Sequence, residues 1–147
     1  MYELSIVDVL LRIVLTMALC GAIGYEREYR RKPAGLRTLI LVGLGTAIIA
    51  IGAIQIATAD GTTIEFDRLI AGILPGIGFL GAGTIIQSRG NVVGLTTAAS
   101  IWVVAGIGLA CGFGLYLLSI MTTVLALATL VVLPANVAEE GVSRKGR

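Results

Sequence analysis

Between residues 90 and 138 the chain carries no charged side chain over 49 consecutive positions. Two more uncharged runs precede it, 21 residues at 39–59 and 19 at 69–87. A helix that crosses a bilayer needs about 20 consecutive apolar residues, so the longest run must hold two crossings and each of the others one. Composition supports the same class. Hydrophobic residues make up 56% of the 147 positions and charged residues 14%, with a mean hydropathy of +0.96. That leaves too little polar surface to wrap a soluble core. The chain is expected to be all-α, a polytopic transmembrane helix bundle.

About five spans are expected: residues 5–25, 36–58, 69–88, 95–111, and a last one ending near Leu133-Pro134. A charged loop over residues 26–35 follows the first, a polar turn with Asp60, Glu65 and Asp67 the second, and Arg89-Gly90-Asn91 the third. Residues 1–135 form one transmembrane domain and residues 136–147 a short polar cytoplasmic tail. The first segment begins with Glu3 and Asp8 rather than a basic region, so it is read as a retained span and not a cleaved signal.

Orientation follows from lysine and arginine placement. With five spans, nine of the eleven basic residues fall on one side: Arg27, Arg30, Arg31, Lys32, Arg37, Arg89, Arg144, Lys145 and Arg147. Arg12 and Arg68 lie opposite. The asymmetry places the N-terminus outside and the C-terminus in the cytoplasm.

Twenty glycines in a chain with few loops cannot all sit in turns. Gly72-xxx-Gly76 and Gly108-xxx-Gly112 are small-xxx-small pairs that let transmembrane backbones approach closely. Pro75-Gly76-Ile77-Gly78, mid-way along the third span, admits a second reading. Proline removes an amide donor and clashes with the preceding turn, and a helix broken there would expose carbonyls to an ion, as in some transporters.

Ionisable groups at or within spans are the functional candidates. Asp8 and Arg12 are spaced to pair on one helix face. Glu26 and Arg27 close the first span, Arg37 and Thr38 open the second, and Asp67 and Arg68 open the third, the acid suited to a helix N-terminus. Arg37 is the expected partner of Glu26. The basic run from Arg27 to Arg37 serves either as an anchor for anionic headgroups or, with Pro33-Ala34-Gly35, as a shaped turn. Thr96, Thr97 and Ser100 cap and cross-link the fourth helix. With no histidine the commonest metal ligand is missing, and any metal site is unassigned. No cofactor is expected beyond Mg2+ as a ligand or signal. Cys20 and Cys111 are expected near opposite faces, too far apart for a disulfide. No catalytic motif is present. The glycine spacing from Gly76 to Gly81 fits a dinucleotide fingerprint but lies in an apolar span with no preceding strand, and is rejected.

Four motifs, in order, resemble the MgtC/SapB family of bacterial membrane proteins: Gly21-x-x-Gly24-x-Glu26-Arg27-Glu28; Pro33-Ala34-Gly35-Leu36-Arg37-Thr38; Gly76-Ile77-Gly78-Phe79-Leu80-Gly81-Ala82-Gly83-Thr84; and Gly94-Leu95-Thr96-Thr97-Ala98-Ala99-Ser100-Ile101-Trp102. The resemblance implies a protein of the bacterial inner membrane tied to growth under magnesium limitation, with virulence roles in some members. It also implies restraint of the F-type ATP synthase. Longer members carry a soluble C-terminal domain, and this chain is expected to be a short form without it.

Two functions are therefore in view. One is a non-enzymatic regulator or interaction protein of the membrane, with no nucleic-acid role. The other is an ion transporter or channel, assembled as a homo-oligomer because five short helices enclose little room. Magnesium favours oxygen ligands, usually carboxylates, and no acid falls at mid-bilayer, which tilts the reading towards the regulator.

Overall fold

A computed structural model describes residues 4–88 and 91–133; the side chains of residues 86–91 are not described. Five helices run through it: α1 (Ile6–Tyr29), α2 (Leu36–Asp60), α3 (Phe66–Gly83), α4 (Leu95–Gly112) and α5 (Tyr116–Val132). The first four are long and apolar enough to cross a membrane. The 17 residues of α5 reach roughly 25 Å at 1.5 Å per residue. The chain is a helical membrane protein.

Three departures from the sequence reading have physical causes. First, α1 continues through Tyr29, four residues past its expected end, so Glu26, Arg27 and Glu28 are helical. Second, the third span stops at Gly83, and Ile86–Ser88 pairs antiparallel with Asn91–Val93 as a two-stranded hairpin, β1 and β2. The expected turn at Arg89 and Gly90, like the tail over residues 136–147, lies outside the described residues. Third, the broken helix is not formed. Pro75 sits inside a continuous α3, the neighbouring helix exerting no pressure at the exposed Pro75 and Gly76 to open the turn.

The core is a three-helix contact of α1, α2 and α4, with α5 laid against α1 and α4. Small residues permit the close approach. A Cβ on Gly24 would stand 2.8 Å from the Leu36 Cα, and one on Gly112 would stand 2.6 Å from the Ala47 carbonyl oxygen. At Gly43 and Gly108 any side chain would overlap Cys20 Sγ and the Gly43 carbonyl respectively. The pair Gly108-xxx-Gly112 is thus the α4 seam against α2. Cys20 and Cys111 are both buried and free, in one apolar cluster with Ile23, Leu39, Val104 and Ile107. Cys20 donates to the Val104 carbonyl at 3.7 Å, which places it at mid-height of the bundle rather than near a face. Four buried hydroxyls donate within their own helices: Thr16 to Arg12 O, Thr46 to Gly43 O, Ser100 to Thr96 O and Thr123 to Ser119 O.

α3 stands apart. Its extensive contacts are with α4 alone, made at one end by Phe66 against Phe113, with ring centroids 4.3 Å apart. Near the other end Gly81 rests on Ala98.

Candidate functional site

Because α1 runs on past Tyr25, Glu26 and Arg30 fall one helical turn apart and face each other. Arg30 Nε lies 2.6 Å from Glu26 Oε1, and Arg27 Nη1 lies 3.8 Å from Glu26 Oε2. Glu26 is 9% exposed and Arg27 2%, so this is a charge cluster withdrawn from water at the basic end of the bundle. Arg30 also donates from Nη2 to the Val131 carbonyl at 3.4 Å, at the C-terminus of α5, where a cation meets the negative end of the helix dipole. The cluster thereby ties α1 to α5.

The turn beside it is shaped, not merely basic. Lys32 N–H donates to Arg27 O and Arg31 N–H to Glu28 O, closing α1, and Arg31 takes a left-handed φ of 54° to turn the chain. The Glu28 carboxylate accepts the Leu36 N–H at 2.9 Å, capping α2 from the preceding helix. A Cβ on Gly35 would meet that carboxylate at 2.9 Å, which accounts for the glycine in Pro33-Ala34-Gly35.

The expected pairing of Glu26 with Arg37 is not formed: Arg37 and Thr38 are exposed on α2, and Arg30 takes the place assigned to Arg37. The misreading came from treating residues 26–35 as loop, which removed the helical spacing that makes Arg30 the natural partner. Asp8 and Arg12 do not pair either. Asp8 closes a capping box with Ser5, and Arg12 donates to the Gly112 carbonyl at 2.6 Å, capping α4 at the far end. Glu28 and Arg30 are the residues the sequence reading missed, whereas Arg12 was named there with a different partner. Only Arg30 had a legible signal, its four-residue spacing from Glu26.

The remaining motif residues separate into two places. Gly81, Thr84 and Gly94 meet where α3 passes through the hairpin into α4. Thr84 Oγ1 donates to Gly81 O at 2.8 Å. Gly94 has φ 95°, and any side chain there would overlap the Thr84 carbonyl. Thr97 is buried nearby, Thr96 is half-buried, and Gly83 is exposed. At the opposite end Asp67 and Arg68 are both exposed, with Arg68 paired to Glu65 at 2.8 Å. Gly72 and Gly76 open onto a cleft of about 740 Å³ between α3 and α2, lined on the α2 side by Leu41, Val42, Gly45 and Ile49. Gly78 opens onto a second cleft, of about 500 Å³, beside Ala98 and Trp102. Among the described residues no three of His, Cys, Asp or Glu come together as metal ligands do.

The sequence profile of the MgtC family matches residues 13–138. The putative magnesium transporter YhiD of Escherichia coli (strain K12) is 43% identical over 127 residues, which cover 84% of this chain and 59% of that protein. Protein MgtC of Salmonella typhimurium is 39% identical over 124 residues, 84% of this chain and 52% of that one. Protein SrpB of Synechococcus elongatus is 38% identical over 130 residues, 81% of this chain and 71% of that one. The chain thus spans little more than half the length of the first two. No solved structure matches it. With the profile covering most of α1 and all of the other four helices at this level of identity, the chain belongs to the MgtC family.

Proposed function

We propose that this protein serves magnesium homeostasis in a bacterial inner membrane as a non-enzymatic regulator or interaction protein, with its basic end in the cytoplasm. The observation that carries this reading is the state of Glu26, the acid set deepest in the helices. Magnesium is held through carboxylates that keep their oxygens available. Here the charge of Glu26 is balanced by guanidinium groups, Arg30 at 2.6 Å from one oxygen and Arg27 at 3.8 Å from the other. A carboxylate so held organises a surface and does not pass an ion along. The surface it organises is the α1–α2 turn and the end of α5, where a membrane partner such as the F-type ATP synthase would dock. Assembly as a homo-oligomer belongs to the same reading.

Transport is the second reading. It is favoured by the clefts on either side of α3 and by the name of the relative YhiD, a putative magnesium transporter. The deciding measurement is ion flux into liposomes containing the purified protein, with magnesium, sodium and protons compared. No flux above protein-free vesicles is expected, together with a growth defect at low magnesium when the protein is deleted. Saturable magnesium uptake would reverse the assignment.

A further inference from the structure

The cleft between α2 and α3 has a partly polar annex. Its lining on α3 (Leu69, Gly72, Ile73, Gly76 and Leu80) lies on one helix face at three- and four-residue spacing. At the Arg68 end a second recess of about 290 Å³ adjoins it, shares Arg68 and Leu69 with it, and is lined by Thr62, Thr63 and Glu65 together with apolar side chains from the end of α2 and Ile64. The whole is therefore an apolar trough with a partly polar vestibule at one end.

Size decides what fits the trough. From Arg68 to Leu80 it runs roughly 18 Å along α3 at 1.5 Å per residue, a little over half of a hydrocarbon core about 30 Å thick. Along that length lies an open groove of about 740 Å³. Extended hydrocarbon chains, roughly 4 Å thick at carbon packing distance, fit side by side in a pair. The vestibule carries one cation and one anion: Arg68, 83% exposed, with Glu65 at 2.8 Å. A guanidinium has five N–H donors, so the pairing leaves donors for a phosphate, and Glu65 remains exposed for an ammonium.

We propose that this cavity is a binding site for one amine-bearing zwitterionic phospholipid, its phosphate on Arg68, its ammonium on Glu65 and its two acyl chains between α2 and α3. Gly45, Gly72 and Gly76 keep the trough open: a Cβ on any of them meets no atom within 4 Å, so packing within the chain does not require glycine there. The lipid replaces the contact that α3 lacks with α2 and holds α3 at a fixed distance.

The test is native mass spectrometry of the full chain released from nanodiscs of phosphatidylethanolamine, phosphatidylcholine or phosphatidylglycerol. One tightly retained phosphatidylethanolamine is expected, held at least tenfold better than phosphatidylcholine, whose quaternary amine has no N–H for Glu65. Glu65→Gln should erase that preference, and Arg68→Gln should lower retention of both lipids about tenfold. Both residues are exposed, so neither change threatens folding. Gly45→Leu with Gly76→Leu should empty the trough while helix content and thermal unfolding stay near those of the parent. Unchanged retention in the leucine variant, or indifference to both vestibule changes, would overturn the proposal. So would efficient cross-linking between two copies through Gly76→Cys, which would put a second protein chain in the trough. None of these outcomes depends on whether the protein moves magnesium.

Discussion

At the scale of single residues the proposed functional end of the molecule rests on Glu26. Its neighbours set different expectations for substitutions that look alike on paper. Arg37 is exposed on α2 and makes no contact with Glu26, so Arg37→Lys should leave low-magnesium growth and folded yield unchanged. Arg30 bridges Glu26 and the Val131 carbonyl, and lysine cannot reproduce two directed contacts from one planar fork; Arg30→Lys should impair growth. Glu26→Gln keeps an acceptor oxygen but removes the negative charge that the guanidinium groups face, weakening a charge-assisted contact worth about 1–3 kcal/mol. It should lower the thermal unfolding midpoint in detergent as well as impair growth. Damage from both Glu26→Gln and Arg37→Lys beside a parent-like Arg30→Lys would restore the pairing first read from the sequence. Glu26 and Arg27 were legible as candidates because an ionisable group at or within a span is a functional candidate. Their partner was not, because a dense charge run resembles a loop until the helix is seen to continue through it.

At the scale of elements, the glycines divide into two kinds that no spacing rule separates. Gly72-xxx-Gly76 and Gly108-xxx-Gly112 carry the same pattern in sequence. Gly108 and Gly112 are pressed on α2 at Gly43 and Ala47, whereas Gly72 and Gly76 face open space. The pattern reports that a backbone can be approached, and the partner decides whether it is. Alanine substitution should therefore sort them. Gly108→Ala and Gly112→Ala drive a methyl group into α2 backbone and should cut the yield of folded protein in detergent severely, an overpacking cost on the order of 1–3 kcal/mol or more. Gly72→Ala and Gly76→Ala should be neutral or mildly stabilising, since alanine favours the helix by about 1 kcal/mol over glycine. Uniform sensitivity across the four would mean that α3 is closed on α2 in the membrane. Pro75 teaches the same lesson. Its sequence context allowed a break, but a break needs a ligand or neighbour to take up the freed carbonyls, and Pro75 is exposed on a continuous helix.

At the scale of the whole molecule, both ends of the bundle are built to be ends, and they differ in charge. At one, Arg12 caps α4 by donating to Gly112, and Phe66 stacks on Phe113 to hold the start of α3. Arg12 is thus explained by a helix terminus, and Arg68 by its pairing with Glu65. These two were the exceptions to the basic asymmetry, and each has a local reason to be there. At the other end Arg27, Arg30, Arg31, Lys32 and Arg37 gather on the α1–α2 turn. Their excess is the feature that membrane insertion reads, so that end should face the cytoplasm. Cysteine labelling suits this chain because its own Cys20 and Cys111 are fully buried and should contribute little background. Thr62 lies in the exposed α2–α3 turn and Pro33 is exposed in the α1–α2 turn. A membrane-impermeant maleimide should label Thr62→Cys in intact cells and reach Pro33→Cys only after the membrane is opened. The reverse pattern would invert the molecule. It would also move the Glu26 cluster to the outer face, out of reach of any cytoplasmic partner, and the regulator reading would fall with it.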